Sequence, residues 1–322
     1  MQMTGIIIIN YQTWSLSLRC MKSIQQTCAG YPYKIYLVDS ASTQPIPERE
    51  RCVFSDWERA GLLRMLQMES NRGYAAGCNT GIAAALADGC GIFVFANSDI
   101  VFQKGAILAF ADCLRRYPQV GIVGPKVIDG RGAVQPSRCS MKTGIREIFE
   151  LYTVAKKLFF RKRRAYYCLD QDARRASYVY HVSGCCFAMR KDCVLEITPL
   201  DEGTVLYDEE LILGICMEQA GYRTRYEPKS VVVHRHGAST NRVRPFMYQC
   251  ISQSELYYCA KYLHAKKWQL WLLYQYRRFL YLIRSIADQD LRKHWILFAK
   301  ETKKTYQGLT EKKKDRSRKE KG

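Results

Sequence analysis

The sequence predicts an α/β fold: a Rossmann-like, mostly parallel sheet flanked by helices, with a C-terminal helical extension. Three observations predict it. The run IIII at residues 6–9 is continuous and β-branched, as in a strand buried on both faces. Strand-like and helix-like stretches then alternate, with short connections, as far as residue 234. After Pro245 the strand patterns stop and only helical ones remain.

The elements follow in order. A helical pattern covers residues 16–26, and a second buried strand at 35–38 stops abruptly at Asp39. An apolar stretch at 62–68 runs into Asn71-Arg72-Gly73, and a small-residue-rich helix follows at 75–86. The strand at 92–96 ends on Asn97-Ser98-Asp99, the helix at 105–117 is stopped by Pro118, and a short strand lies at 121–125. Residues 142–175 read as a basic, helical surface insertion. The sheet pattern resumes at 179–189, a loop and helix occupy 200–221, and a last strand covers 231–234. Helices are expected at 246–262 and 268–286. The expected organisation is a domain over 1–245, a helical region over 246–300, and a basic tail over 301–322. The tail has no apolar face and is expected to be disordered.

Composition narrows the function classes. The 322 residues carry 50 Lys plus Arg against 30 Asp plus Glu, a formal charge of +20, and 48% are hydrophobic. That content excludes a disordered chain, and the charge points to a polyanionic neighbour. The last 62 residues carry +12 of the +20, so the sheet domain itself is only mildly basic. No RNP, KH or helix-turn-helix pattern is present, and nucleic acid is not the expected partner. The 14 cysteines form no CxxC pair and read as reduced, mostly buried thiols of a cytosolic protein. No run of about 18 apolar residues suggests a membrane span, and no leader pattern is read at the start.

Several residues could carry chemistry. In a parallel sheet, ligands meet the carboxyl ends of strands, where Asp39 and Asp99 fall. An Asp there is also a common cap or turn residue, and for Asp39 that plain reading is the stronger. Around Asp99, Asn97 adds a second oxygen donor of the kind hard cations favour, and a helix cap explains the pattern equally well. Gly73 and Gly77 before a helix would allow close approach of a phosphate or sugar, or make a tight turn. This is neither a dinucleotide fingerprint nor a Walker loop. Asp208-Glu209-Glu210 crowds three carboxylates at a helix start. They gain from the helix dipole there, and crowding also raises pKa values toward those of a general base. Of His234 and His236, His234 ends the apolar run and is the better candidate.

Taken in order, these segments resemble the family 2 glycosyltransferases of the GT-A fold, among them the bacterial rhamnosyltransferase-like members that build capsular or O-antigen polysaccharide. The resemblance rests on IIIINY, Val38-Asp39, Asn71-x-Gly73 with Gly77-x-Asn79-x-Gly81, Asn97-Ser98-Asp99, Val182-Ser183-Gly184, Leu200-Asp201-Glu202 with Asp208-Glu209-Glu210, Ala220-Gly221-Tyr222, and His234 with Gly237. It covers about residues 4–240.

The resemblance implies an inverting, metal-dependent transfer of a sugar from a nucleoside diphosphate to a saccharide hydroxyl. It implies nucleotide contacts from Asn10, Asp39, Asn71, Gly73, Asn79 and Asn97. Asp99, with His234, would hold Mg²⁺ or Mn²⁺. Gly184 and Asp208 would lie on the acceptor side, and Glu210 would be the base, with Glu209 in reserve. Two residues depart from the family pattern: Asn97 stands where the first Asp of DxD is expected, and Glu210 replaces an Asp. Those departures keep a non-catalytic scaffold open as the alternative. The helices after 245 interleave Trp268, Trp271 and Phe279 with Lys266, Lys267 and Arg284, which suits an anionic membrane surface or a second subunit. The expected setting is cytoplasmic, peripheral on the inner face of the cell membrane, with a polyprenyl-linked acceptor.

Overall fold

The computed structural model describes residues 2–28, 30–234 and 244–319, the side chains of 312–319 excepted. Its strands are β1 (Thr4–Asn10), β2 (Tyr33–Asp39), β3 (Leu63–Gln67), β4 (Ile92–Asn97), β5 (Ile100–Phe102), β6 (Val120–Ile128), β7 (Arg138–Cys139), β8 (Ser177–Val179), β9 (His181–Val182), β10 (Cys186–Arg190) and β11 (Arg223–His234). The helices of the sheet domain are α1 (Trp14–Thr27), α2 (Glu48–Arg59), α3 (Tyr74–Ala87), α4 (Ala106–Arg116), α5 (Ile145–Leu151), α6 (Phe160–Tyr166), α7 (Lys191–Ile197) and α8 (Glu209–Gln219). After them come α9 (Arg244–Lys261), α10 (Lys267–Ala287), α11 (Gln289–Lys293) and α12 (Trp295–Lys319).

The main sheet runs β3-β2-β1-β4-β10-β6-β11-β5, with β8 also on β11. Strands β3, β2, β1 and β4 are mutually parallel, and β6 and β11 point the same way. Strand β10 runs antiparallel between β4 and β6. The β-branched start explains the centre. Ile6 and Ile8 enter one apolar cluster, with α1 and α4, while Ile7 enters the cluster on the other face. All three are fully buried, each contributing about 1.5–3 kcal/mol. Helix α3 is rich in small residues because it lies almost on β1: a Cβ on Gly81 would stand 2.5 Å from Ile7, and one on Gly77 3.0 Å from Ile9.

The C-terminal helices are built into the domain. Leu211, Ile212 and Ile215 of α8 share a cluster with Leu256 and Tyr258 of α9 and with Leu270 and Leu273 of α10. The tail differs from the expectation of disorder. Residues 295–319 are one helix, α12, and Thr302 is fully buried. Tyr306 stacks on Tyr274, with ring centroids 4.8 Å apart. Its apolar contacts are spaced too sparsely among charges to stand out as a stripe. The cysteines are all free thiols, and Cys52 alone is exposed. Among the described residues, no helix is long and apolar enough to cross a membrane.

Candidate active site

Strand direction gathers the site on one edge of the sheet. Asn10 pairs with Asp39, and Ile9 with Asn97, so the carboxyl ends of β1, β2 and β4 lie side by side. Strand β10 begins at the same edge, Cys186 opposite Ala96, which brings Gly184 and Cys185 there. At the far side His234 pairs with Ile100, placing Asp99 beside the end of β11.

Asp39 is 1% exposed, and its carboxylate accepts from Asn10 Nδ2 (2.7 Å), Ser42 N (3.0 Å), Ser42 Oγ (2.5 Å) and Gln67 Nε2 (2.9 Å). A carboxylate offers about four lone-pair sites, so Asp39 is saturated and ties the loops after β1 and β2 together. A nucleotide base reaches it only by displacing Ser42 or Gln67. Asn10 works in the same clamp, its Oδ1 accepting from Thr13 (3.1 Å) and Ser17 (2.8 Å). Thr13 lies 2.8 Å from Ser98, linking this clamp to the Asn97–Asp99 turn. The backbone N–H of Asn97 donates to Cys185.

His234 Nε2 and Asp99 Oδ1 are 3.4 Å apart, and both side chains are nearly buried. Burial works against charge on His234, but hydrogen bonds to Asp99 and Cys185 outweigh it and lift its pKa to about 10. Among the described residues no group of three or more His, Cys, Asp or Glu is arranged for a metal ion. One carboxylate and one imidazole would fit an ion that takes its other ligands from diphosphate oxygens and water, with the ion displacing the proton that Asp99 and Cys185 otherwise keep on His234. His236 and Gly237 lie outside the described residues.

The three acids stand where a strained turn meets α8. Tyr207 and Asp208 both have positive φ, 75° and 66°, costly for non-glycine residues. The segment leading in is held from two sides. On the α3 side, Asn79 donates to the Leu200 carbonyl (2.9 Å) and to Glu202 (3.0 Å), and accepts from Leu200 N (2.8 Å). On the α9 side, Tyr257 and Lys261 each reach Asp201 at 2.8 Å, and Ser254 donates to the Leu206 carbonyl. The amide of Asn79 thus positions this segment. Asn71 caps Gly73 N (3.0 Å), and Gly73, at φ 97°, lets Val205 approach so closely that a Cβ would stand 2.5 Å from its carbonyl oxygen.

Burial dominates the charge behaviour of these acids. It raises Glu209 to about 8, with the neighbouring Glu210 adding to the shift. It raises Glu210 as well, and it holds Asp208 well above the usual range together with Glu255 and the two glutamates. Glu210 lies against Gly184: a Cβ there would be 3.6 Å from its Oε2. Tyr74 donates to the Gly184 carbonyl (3.0 Å), so α3 and the acid turn meet at this loop. The structure thus brings Asp99, His234, Gly184, Glu209 and Glu210 to one edge through Cys185. It leaves Asn71, Gly73 and Asn79 as framework. Sequence reading missed Thr13, Ser42, Gln67, Tyr74 and Cys185. Only Ser42 carries a signal, the Asx-type spacing after Asp39.

A family model for glycosyl transferase family 2 matches residues 5–198. The chain belongs to glycosyl transferase family 2. It is 27% identical over 227 residues to the N-acetylglucosaminyl-diphospho-decaprenol L-rhamnosyltransferase of two Mycobacterium tuberculosis strains, covering 66% of this chain and 69% of that one. The fold is similar to GalNAc-T7 solved with UDP, GalNAc and Mn²⁺, with a TM-score of 0.55 and 13% identity over 81% of this chain; the chain spans 50% of that structure. It is also similar to the mannosyltransferase PcManGT of Pyrobaculum calidifontis solved with GDP-Man and Mn²⁺, with a TM-score of 0.53 and 16% identity over 97% of this chain and 86% of that one. Both likenesses bear on the fold, which is that of the GT-A glycosyltransferases.

Proposed function

We propose that the chain is an inverting glycosyltransferase that moves a sugar from a nucleoside diphosphate to a hydroxyl of a polyprenyl-linked saccharide. The pathway would be bacterial cell-surface polysaccharide synthesis of the capsular or O-antigen kind. The observation that carries this reading is the approach of Glu210 to Gly184, with Asp99 and His234 across the same edge. The acceptor class follows the name of the mycobacterial relative, which acts on a decaprenol-linked sugar.

Glu210, or Glu209 beside it, takes the proton from the acceptor hydroxyl. The freed oxygen attacks the anomeric carbon from the face opposite the diphosphate, whose bond to that carbon breaks. A base pKa raised by burial keeps proton transfer favourable near neutral pH. Asp99 and His234 would hold Mg²⁺ or Mn²⁺, which when bound offsets charge building on the departing diphosphate. Gly184 would lie on the acceptor side, in ordinary contact distance of the Glu210 carboxylate. The aromatic and basic outer face of α10 meets the cytoplasmic face of the cell membrane, where such an acceptor resides.

The test is a donor screen: full-length protein, Mg²⁺ or Mn²⁺ and a panel of sugar nucleotides, read as nucleoside diphosphate release with and without a polyprenyl-linked acceptor. Acceptor-dependent release with an inverted anomeric centre, read by NMR, supports the reading. Retained configuration overturns the single-displacement mechanism, and no release with any donor overturns the enzyme.

A further inference from the structure

Helix α10 has two apolar faces. Leu270, Leu273, Tyr274 and Tyr281 are buried against the domain, with Arg277 between them. On the opposite side Trp268, Trp271, Phe279, Leu282, Ile283 and Ile286 are all exposed, Ile286 to 71%. They recur at helical spacing and make a strip roughly 27 Å long at 1.5 Å per residue. Exposed strips of that kind mark an interaction surface.

A second element lies along its edge. The insertion turns outward at residues 154–160, where Val154 is 68% exposed, Leu158 82% and Phe160 55%. The Val154 backbone N–H donates to Tyr276 Oη (2.9 Å), and Tyr276 borders the α10 strip. The charges here divide by direction. Lys162 is engaged inward with Glu147 and Glu150, and Arg164 with Asp170. Lys156, Lys157 and Arg161, which flank the exposed apolar side chains, make no ion pair among the described residues and are exposed.

We propose that the protein docks on an anionic bilayer through two elements, the outer strip of α10 and the 154–160 turn, inserting their apolar side chains while Lys156, Lys157 and Arg161 meet lipid phosphates. This rests on the membrane reading given above and extends it to the insertion. Charge complementarity favours lipid as the occupant. Three exposed cations without an ion pair among the described residues flank the exposed apolar side chains, which matches lipid phosphates around an acyl interior. The inner face of α10 gives the arrangement a consequence. Arg277, on the inner face, pairs with Glu255, and both act electrostatically on Asp208, so α10 joins the lipid-facing strip to the acid turn.

Full-length protein is sedimented with vesicles of phosphatidylcholine alone and with ~30% phosphatidylglycerol. Three double variants are compared with wild type: Leu158→Glu with Phe160→Glu, Lys156→Glu with Lys157→Glu, and Phe279→Glu with Ile283→Glu. All six positions are exposed and remote from the acids, and near-UV circular dichroism checks the fold. The proposal expects each double variant to lose at least ~10-fold in binding to the anionic vesicles. Wild-type binding by the 158/160 variant, with loss in the 279/283 variant, overturns the two-element surface and leaves α10 as the membrane contact. No binding by wild type to either vesicle overturns both. A wild-type dimer in sedimentation velocity that the 158/160 variant breaks assigns the face to a second copy and overturns the proposal.

Discussion

Asp99 Oδ1 lies 3.4 Å from His234 Nε2 because β5 pairs with β11 in the register that sets Ile100 opposite His234. Two residues 135 positions apart in sequence are thereby fixed by backbone hydrogen bonds, without a loop having to find the right conformation.

This pairing should govern any dependence on divalent ions. Asp99→Ala is expected to cost about 10²-fold or more in turnover at saturating donor, and His234→Ala less, with a raised half-saturating Mn²⁺ concentration in both. Nucleoside diphosphate release measured against Mn²⁺ concentration checks it. Unchanged metal dependence in Asp99→Ala would remove the residue from the metal role.

The acid turn predicts a pH profile. Glu209 has its pKa raised to about 8, so with Glu209 as the working base kcat/KM should climb with pH, reach half its plateau near 8 and level off above it. Burial raises both glutamates, and for Glu209 the charge of Glu210 adds to it, so the limb near 8 is that of Glu209. Gln at the working base should cost about 10²–10⁴-fold. With Glu209 as the base, Glu210→Gln should leave activity but move the limb to lower pH, since the negative neighbour that raises Glu209 is gone.

The same shift has a stability side. Glu209 binds its proton more tightly folded than unfolded, so folded-state stability declines as pH rises from about 4.5 toward 8. Glu209→Gln should therefore melt higher than wild type at pH 8, with the gap closing near pH 5. A gap that is constant across that range would show that the carboxyl is not held neutral by the fold.

Gly73→Ala should destabilise by at least about 2–3 kcal/mol. The φ of 97° is open almost solely to glycine, and the new Cβ would strike the Val205 carbonyl. Because Val205 leads into the acid turn, activity should fall with stability. Urea unfolding and turnover measured on the same preparation check both.

The Arg277–Glu255 pair is nearly sealed from water, 10% and 2% exposed, and lies beside Asp208. Arg277→Met should cost about 3–5 kcal/mol by stranding acidic groups. Adding Glu255→Met should recover a large part of the loss. A double-mutant cycle by chemical denaturation measures the coupling, and additive losses would mean the pair is not coupled.

How much of this was legible in the sequence differed by element. Strands β1, β2 and β4 announce themselves because burial on both faces demands unbroken apolar runs, and their ends locate Asp39 and Asp99. Strand β5 has three residues, too few to show a period. Helix α2 buries only Glu50, Phe54 and Trp57, so its apolar signal drowns in charge. The task of Asn79 was hidden because its partners, Leu200 and Glu202, lie over 120 residues away. The saturation of Asp39 was equally invisible, since Gln67 reaches it from a strand that says nothing about side-chain aim. Motif order placed the acids at a helix start; it could not show that two left-handed residues present them.

The cysteines lead somewhere different. Twelve are buried, Cys216 is half-covered, and burial raises the thiols of Cys20, Cys78 and Cys186, while Cys52 on α2 stands in solvent. A protein with 14 sulfhydryls therefore presents essentially one to an aqueous reagent. A maleimide dye would label Cys52 first without mutagenesis, and each further thiol that reacts would clock an opening of the particular helix or strand that covers it.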